Sequence, residues 1–308
     1  MGTVKGKIIR GVGGFYYCLT RDATSFAAGS GIIYECRAKG IFRKDDIKPL
    51  VGDDVVISVL DEENRLGNID ELLPRRNSLI RPAVANVDQA MVVFSLHSPR
   101  INRTLLDRFL LMMAVRDIPV WLCLTKTDLV REDAVAALVD TYEQCTEGVL
   151  PVCNVTGSGI RSVRAAMKGK TTVLAGPSGV GKSSLVANLF PDADPEVGSV
   201  SKKTERGKHT TRHSELFYSD SETFLLDTPG FSSIDLPDLL PEELSGYIPE
   251  FQPYLGQCRF QMCTHIHEPD CGVREHVGDD IDEGRYESYR GMFDELNQRA
   301  IRQGMKKR

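Results

Sequence analysis

Residues 1–74 follow the period of β-strands. VKGKIIR, FYYCLT, GIIYECRAKG and DDVVISVL alternate apolar with polar positions or concentrate β-branched residues, with Gly and Asp between them. NRLGNIDEL offers a fifth strand. Five short strands predict a small barrel, an OB-fold first, although an SH3-like barrel shares the pattern.

Beyond Pro74 the period changes. VDQAMVVFSL (87–96) is an apolar run that predicts a buried strand. In NRTLLDRFLLMMAVRD (102–117), Leu105, Leu106, Phe109, Leu110 and Met113 recur at helical spacing. PVWLCLT (119–125) reads as strand. A helix over 131–146, a strand at 149–153, a helix at 158–168 and the strand TTVLAG (171–176) follow. Such alternation predicts a mainly parallel sheet with helices on both faces. LPDLLPEEL (236–244) predicts a Pro-punctuated connection with a short helix. From Arg285 onward a helix places Tyr286, Tyr289, Phe293 and Leu296 on one face and ends in basic residues.

The 308 residues, 41% of them hydrophobic, suffice for two or three cores. A net charge of −5 argues against a protein that coats nucleic acid generally. No apolar stretch approaches the roughly 20 residues that cross a bilayer, and the N-terminus carries no apolar signal core, so a cytoplasmic protein without a membrane partner is expected. Of the eight cysteines, Cys18, Cys36, Cys123, Cys145 and Cys153 sit among apolar neighbours and read as small buried hydrophobes. Cys258, Cys263 and Cys271 cluster with His265, a Cys3His set suited to one structural Zn²⁺, with His267 as the rival imidazole.

GPSGVGKSS at 176–184 is a full phosphate-loop match between a predicted strand and a predicted helix. Gly176, Pro177, Ser178, Gly179, Val180, Gly181, Lys182, Ser183 and Ser184 would wrap the phosphates with backbone N–H groups. Lys182 would reach the β- and γ-phosphates and act in catalysis, and Ser183 would hold Mg²⁺. DTPG at 227–230 supplies Asp227 for Mg²⁺ and the Gly230 N–H for the γ-phosphate; as an isolated string it is also a plain turn. TKTD at 125–128 ends an apolar strand. Asp128 there can accept from guanine, Lys126 can lie along the base, and Thr125 and Thr127 complete the segment; Asp128 could equally cap a helix. The polar loop VSKKTERGKHTTRHSEL (200–216) stands where a switch would, with Thr211, less favourably Thr210, as a magnesium ligand. The residue after DTPG is Phe231, which cannot orient water, so His209 is the candidate to position the attacking water; a surface histidine contacting a partner is the competing reading.

The order of these motifs is unusual. A GTPase ordinarily presents its phosphate loop first and its guanine reader last, whereas TKTD here precedes GPSGVGKSS. The order predicts a circularly permuted GTPase domain, with residues 1–74 as an RNA-binding barrel, 75–233 as the permuted domain and 234–308 as a zinc-binding domain. Lys5, Lys7, Arg10, Arg37, Lys39, Arg43 and Lys44 with Phe15, Tyr16 and Tyr17 fit RNA binding by charge and stacking; they also fit an ordinary solvated barrel. DTPG leads through 231–238 directly into the third segment, so loss of the γ-phosphate would pull on it.

With these residues assembled, the chain resembles the RsgA/YjeQ family of GTPases dependent on the small ribosomal subunit. The resemblance rests on ECRAKG, VGDDV, RPAVANVDQ, TKTD, GPSGVGKSS, RGKHTT, DTPGF and CRFQMCTHIHEPDCGV in order along nearly the whole chain. It implies GTP hydrolysis stimulated by the small subunit, a role late in that subunit's assembly, and partners in the subunit and its 16S rRNA. It implies GTP binding at Thr125–Asp128 and Gly176–Ser184, zinc at Cys258, Cys263, His265 and Cys271, and catalysis by His209. Two positions depart from the family pattern: Thr125 stands where Asn is commoner, and Cys153-Asn154 where many members have Ser-Ala. The alternative expectation is a nucleotide-gated rRNA-binding module whose hydrolysis is incidental. A monomer suits a factor docking on a large particle, and no DNA partner is expected.

Overall fold

The computed structural model describes residues 2–21, 31–39, 42, 48–79, 83–191, 216–219, 222–227 and 235–306. They form two compact units: residues 1–91, 160–175 and 182–229, and residues 92–159, 176–181 and 230–308.

The first unit contains the barrel. Strands β1 (Thr3–Val12), β2 (Phe15–Arg21), β3 (Gly31–Ala38), β4 (Asp54–Asp61) and β5 (Leu66–Leu72) close in the order β1-β2-β3-β5-β4. β1 pairs antiparallel with both β2 and β4, and β3 pairs parallel with β5. That order and the one parallel pair belong to an OB-like barrel, which removes the SH3-like alternative. Alternation is what lets one sheet close on itself: Ile8, Cys18, Tyr34, Cys36, Val55, Ile57 and Ile69 point inward and are buried.

The exit from the barrel is held by polar side chains. Asp53 is fully buried, yet it accepts from Leu50 N at 2.7 Å and takes both Nε (2.6 Å) and Nη2 (2.8 Å) of Arg75. A buried carboxylate needs such partners. A short hairpin, β6 (Ser78–Leu79) with β7 (Val84–Ala85), follows. Asn86 then donates to Gly52 O at 3.1 Å. Asp88 accepts from Thr171 N at 2.7 Å, and Gln89 donates to Ala166 O at 2.9 Å. The VDQ of the junction motif thus pins the start of β8 (Gln89–Ser95) beside β11 (Thr171–Ala175).

The second unit holds β9 at Val120–Thr125 and β10 at Gly148–Val152, and the first holds β11 with β12 at Leu216–Tyr218 and β13 at Phe224–Asp227. β9 pairs parallel with β10 and β11 with β13, while β12 runs antiparallel to β13. β8 and β11 are buried along their whole length, as an apolar run in a covered sheet requires. Helices Arg103–Ala114, Glu132–Glu143, Ile160–Met167 and Lys182–Leu189 supply the alternating helical elements.

Three expectations change in detail. The short helix expected within 236–244 is a 3-10 helix, Pro241–Tyr247, and a second 3-10 helix, Pro249–Tyr254, follows it. Pro241 and Pro249 open the two turns, where no intrahelical N–H is required, and Pro253 interrupts the second and keeps it short. The terminal helix begins at Glu283, before Arg285. Cys145 is only partly buried, and its thiol donates to Glu250 Oε2 at 3.3 Å, so it is not a plain core hydrophobe; Cys18, Cys36, Cys123 and Cys153 are buried.

In the second unit, Leu111 packs with Leu236, Leu244, Phe251, Tyr289, Met292 and Leu296 in one core. Arg285 is buried in the same region. It donates through Nη1 to Asp107 Oδ1 and through Nε to Glu250 Oε1, both at 2.6 Å, and its guanidinium stands 5.5 Å from the Tyr142 ring centroid. The Tyr142 hydroxyl donates to the same Asp107 oxygen at 3.1 Å. Side chains from two helices after β8, a 3-10 turn and the terminal helix therefore meet in one buried ion cluster.

Candidate nucleotide and metal sites

In the second unit, the loop Gly176–Gly181 follows the buried strand β11. Gly176 has φ +143°, and a Cβ there would stand 2.2 Å from Val93 O, so only glycine fits. The loop carbonyls are taken by side chains from the end of β9. Thr125 Oγ1 donates to Val180 O and lies 3.3 Å from Phe94 O. Lys126, at φ 59°, donates from Nζ to Gly179 O at 3.0 Å and to Ser98 O. Lys126 thus braces the loop, where the sequence pointed only to a place along a base. A third donor was not foreseen: Asn154 Nδ2 reaches Gly181 O at 3.1 Å. Its only signal in the sequence was its departure from the family pattern.

Asp128 lies exposed in a 3-10 turn, Thr127–Leu129, rather than as the N-cap of the helix that starts at Glu132. With Thr127, Val135, Ala136, Val139 and Cys153 it lines a cleft of about 600 Å³. Ser178 and Gly179 are exposed at the loop tip.

In the first unit, the helix Lys182–Leu189 begins where the loop ends and buries Leu185, Val186 and Leu189. The first turn of an α-helix favours anions, and Ser183 and Ser184 are exposed there. Asp227 ends β13 in register with Leu174 of β11. Burial lowers the pKa of the Lys182 ammonium, while the charge of Asp227 acts to raise it. His209, Thr210, Thr211, Gly230, Phe231 and the start of the 231–238 connection lie outside the described residues.

The metal-ligating atoms of Cys258, Cys263, His265 and Cys271 all lie within 4.8 Å of one another. Cys258 Sγ is 3.9 Å from Cys271 Sγ, and His265 Nδ1 is 3.5 Å and 3.3 Å from those two sulfurs. Ligands at tetrahedral Zn–S distances stand roughly 3.8 Å apart, so the group is already near the size of one cation's shell. Burial pushes the Cys263 thiol up to about 12. A divalent cation would offset that by holding the sulfurs as thiolates. His267 is exposed and is not part of the cluster.

The ligand loop is held from behind. Glu268 accepts from Thr264 N (2.8 Å), Thr264 Oγ1 (2.7 Å), Ile266 N (3.1 Å) and His267 N (3.1 Å). Burial would raise its pKa, but these donors hold it at about 2. Tyr286 and Tyr289, from the terminal helix, donate to His265 O at 2.7 Å and Thr264 O at 2.6 Å. The pattern of their helix face marked the two tyrosines as core; their hydroxyl roles needed the fold. Among the described residues, no helix is long and apolar enough to cross a membrane.

Comparison with known proteins agrees with both the barrel and the permuted motif order. Residues 5–69 match the RsgA N-terminal domain and residues 72–237 match the RsgA GTPase. A small ribosomal subunit biogenesis GTPase RsgA from Agathobacter rectalis is 49% identical, covering 96% of this chain and 98% of its own. The protein of the same name from Alkaliphilus metalliredigens is 44% identical over 95% and 97%. Among solved structures, YjeQ from Thermotoga maritima aligns with TM-score 0.78 and 31% identity, over 96% of this chain and 99% of that one. YloQ, described as a circularly permuted GTPase, aligns with TM-score 0.77 and 36% identity, over 97% and 96%. Motif order, barrel topology and full-length similarity agree, and the chain belongs to the RsgA GTPase family.

Proposed function

We propose that this GTPase acts late in assembly of the small ribosomal subunit, binding the maturing particle and its 16S rRNA with GTP and leaving after hydrolysis to GDP and phosphate. The observation that carries the reading is the contact of Thr125 and Lys126 with Val180 and Gly179, because it joins the guanine-reading segment to the phosphate loop despite their inverted order. The names of the relatives supply the particle.

In this reading GTP lies along Gly176–Ser184 with its base toward Asp128, and Lys182 reaches the β- and γ-phosphates. Ser183, Asp227 and Thr211 would hold Mg²⁺, which neutralises phosphate charge when bound. The Gly230 N–H senses the γ-phosphate. His209 positions the attacking water when the particle is bound, because Phe231 cannot. Cys258, Cys263, His265 and Cys271 fill all four positions of a structural Zn²⁺, the cation that three thiolates and one imidazole suit best. On the barrel, Arg10 lies 4.0 Å from the Tyr17 ring centroid and Arg37 4.8 Å from that of Phe15, a mixture of cations and aromatic faces suited to RNA. The protein works as a cytoplasmic monomer.

GTP turnover with and without purified small subunits tests the proposal. Turnover is expected to be slow alone and strongly stimulated by subunits, and His209→Ala should remove the stimulation while sparing GTP affinity. Unchanged turnover on adding subunits would sink the proposal. Function in cells that survives His209→Ala would favour an RNA-binding module with incidental hydrolysis.

A further inference from the structure

The two departures from the family pattern, Thr125 and Cys153-Asn154, converge on one stretch of backbone. Three consecutive carbonyls of the phosphate loop each receive a donor from outside it: Gly179 O from Lys126, Val180 O from Thr125 and Gly181 O from Asn154. A Cβ placed on Gly181 would stand 3.0 Å from Asn154 Nδ2 and 3.7 Å from Thr125 Oγ1. The two side chains therefore approach the same face of the loop.

Donor chemistry explains why both are needed. A threonine hydroxyl has one proton, whereas an asparagine amide has two on a longer arm. Thr125 directs its one proton to Val180 O, with Phe94 O also near, and has none left for Gly181 O. Asn154 supplies that missing donor from the neighbouring loop. Gly179 and Gly181 have φ +79° and +94°, so their peptide planes lack the steric restraint that a side chain would impose. Holding the carbonyls outward keeps the N–H groups turned inward, which is the arrangement a polyphosphate requires.

We propose that Asn154 is a positioning residue for the nucleotide, and that with Thr125 it divides between two side chains the bracing an asparagine at position 125 would give alone. The idea rests on the phosphate-loop reading above and deepens it. Asn154 also sits directly after Cys153, which lines the cleft beside Asp128, so it ties the base side of the site to the phosphate side.

The test is titration of GTP and GDP into the full-length protein, with steady-state turnover alongside. Asn154→Ala is expected to weaken both nucleotides about five- to tenfold, with a larger effect on KM than on kcat. Asn154→Asp keeps the shape but loses the donor, and should lose at least as much. Adding Thr125→Asn to Asn154→Ala should recover affinity to within about twofold of the parent, which a merely structural defect would not allow. Affinities within about twofold of the parent for both Asn154 variants would overturn the inference, as would failure of Thr125→Asn to recover any loss. Lys182→Ala separates the two levels. Nucleotide affinity that survives Lys182→Ala refutes the phosphate-loop reading itself. Affinity lost with Lys182→Ala but kept with Asn154→Ala refutes the present inference alone.

Discussion

Replacing Arg285 with alanine should be among the most damaging single changes in the second unit. The side chains of Arg285, Asp107 and Glu250 are only 4%, 0% and 5% exposed. Burial disfavours all three charges, and their short contacts offset it. Asp107 and Glu250 raise the guanidinium pKa well above its ordinary value, against the effect of burial. Burial raises the pKa of Glu250, but Arg285 outweighs it and the net shift is downward. Removing the arginine leaves two buried carboxylates facing Tyr142 and Cys145 without a cation, a loss of about 3–5 kcal/mol. Urea unfolding followed by tryptophan fluorescence reads this directly, because the single tryptophan, Trp121, lies on β9 in the same unit. The variant Arg285→Met, Asp107→Asn, Glu250→Gln removes every charge while keeping an acceptor for Tyr142, and should lie within about 2 kcal/mol of the parent. The sign of the pH effect follows from Glu250. Its folded pKa is depressed, so its contribution is fully present above the ordinary value of 4.5 and is lost as pH falls through the folded value. In Arg285→Ala burial acts on Glu250 without the opposing guanidinium, so the deficit against the parent should shrink as pH falls from neutrality. A loss below about 1 kcal/mol at neutral pH, or a triple variant as unstable as Arg285→Ala, would refute the reasoning.

Gly176→Ala places a methyl 2.2 Å from Val93 O at φ +143° and should weaken GTP binding by about 2–3 kcal/mol, or roughly 30- to 150-fold, measured by calorimetry. Glu268→Gln removes the charge from an acceptor of four bonds and should lower zinc affinity about 10- to 100-fold in competition with a chelator, whereas the parent should purify with about one zinc per chain. Arg37→Ala should weaken binding to the small subunit and reduce the salt slope by about one, and Phe15→Ala should weaken binding without changing that slope. Lengthening the 231–238 connection should uncouple GTP hydrolysis from release of the subunit; release kinetics identical to the parent would place the coupling elsewhere.

Each part of the architecture was legible in proportion to how local its cause is. Alternation in VKGKIIR and GIIYECRAKG is a property of each strand, so the barrel's strands could be read directly, whereas the parallel β3–β5 pairing that separates an OB-like barrel from an SH3-like one depends on closure. Helix periodicity found Tyr286 and Tyr289 but not their hydroxyl partners at His265 and Thr264. The Pro-punctuated segment 236–244 was legible as a connection with a short helix, but that its helical turn is a 3-10 helix from Pro241 to Tyr247 depends on packing.

The candidate sites divide in the same way. Residue types and spacing within one segment are enough to nominate a phosphate loop, a guanine reader and a Cys3His ligand set, because each draws its chemistry from neighbours in the chain. The inverted order of the first two was likewise visible without coordinates. Long-range pairing alone could reveal which side chain serves which carbonyl. Thr125 and Val180 are 55 positions apart, Asn154 and Gly181 27, and Arg285 and Asp107 178. Sequence spacing does not report such contacts, since they depend on how strands and loops stack after the chain has closed. Glu250 and Arg285 lie 35 positions apart, and only folding makes them a buried pair. The chain by itself determined which chemistry is present and in what order. Tertiary packing decided which groups brace that chemistry, because a hydrogen bond forms between atoms within about 3 Å in space, whatever their distance along the chain.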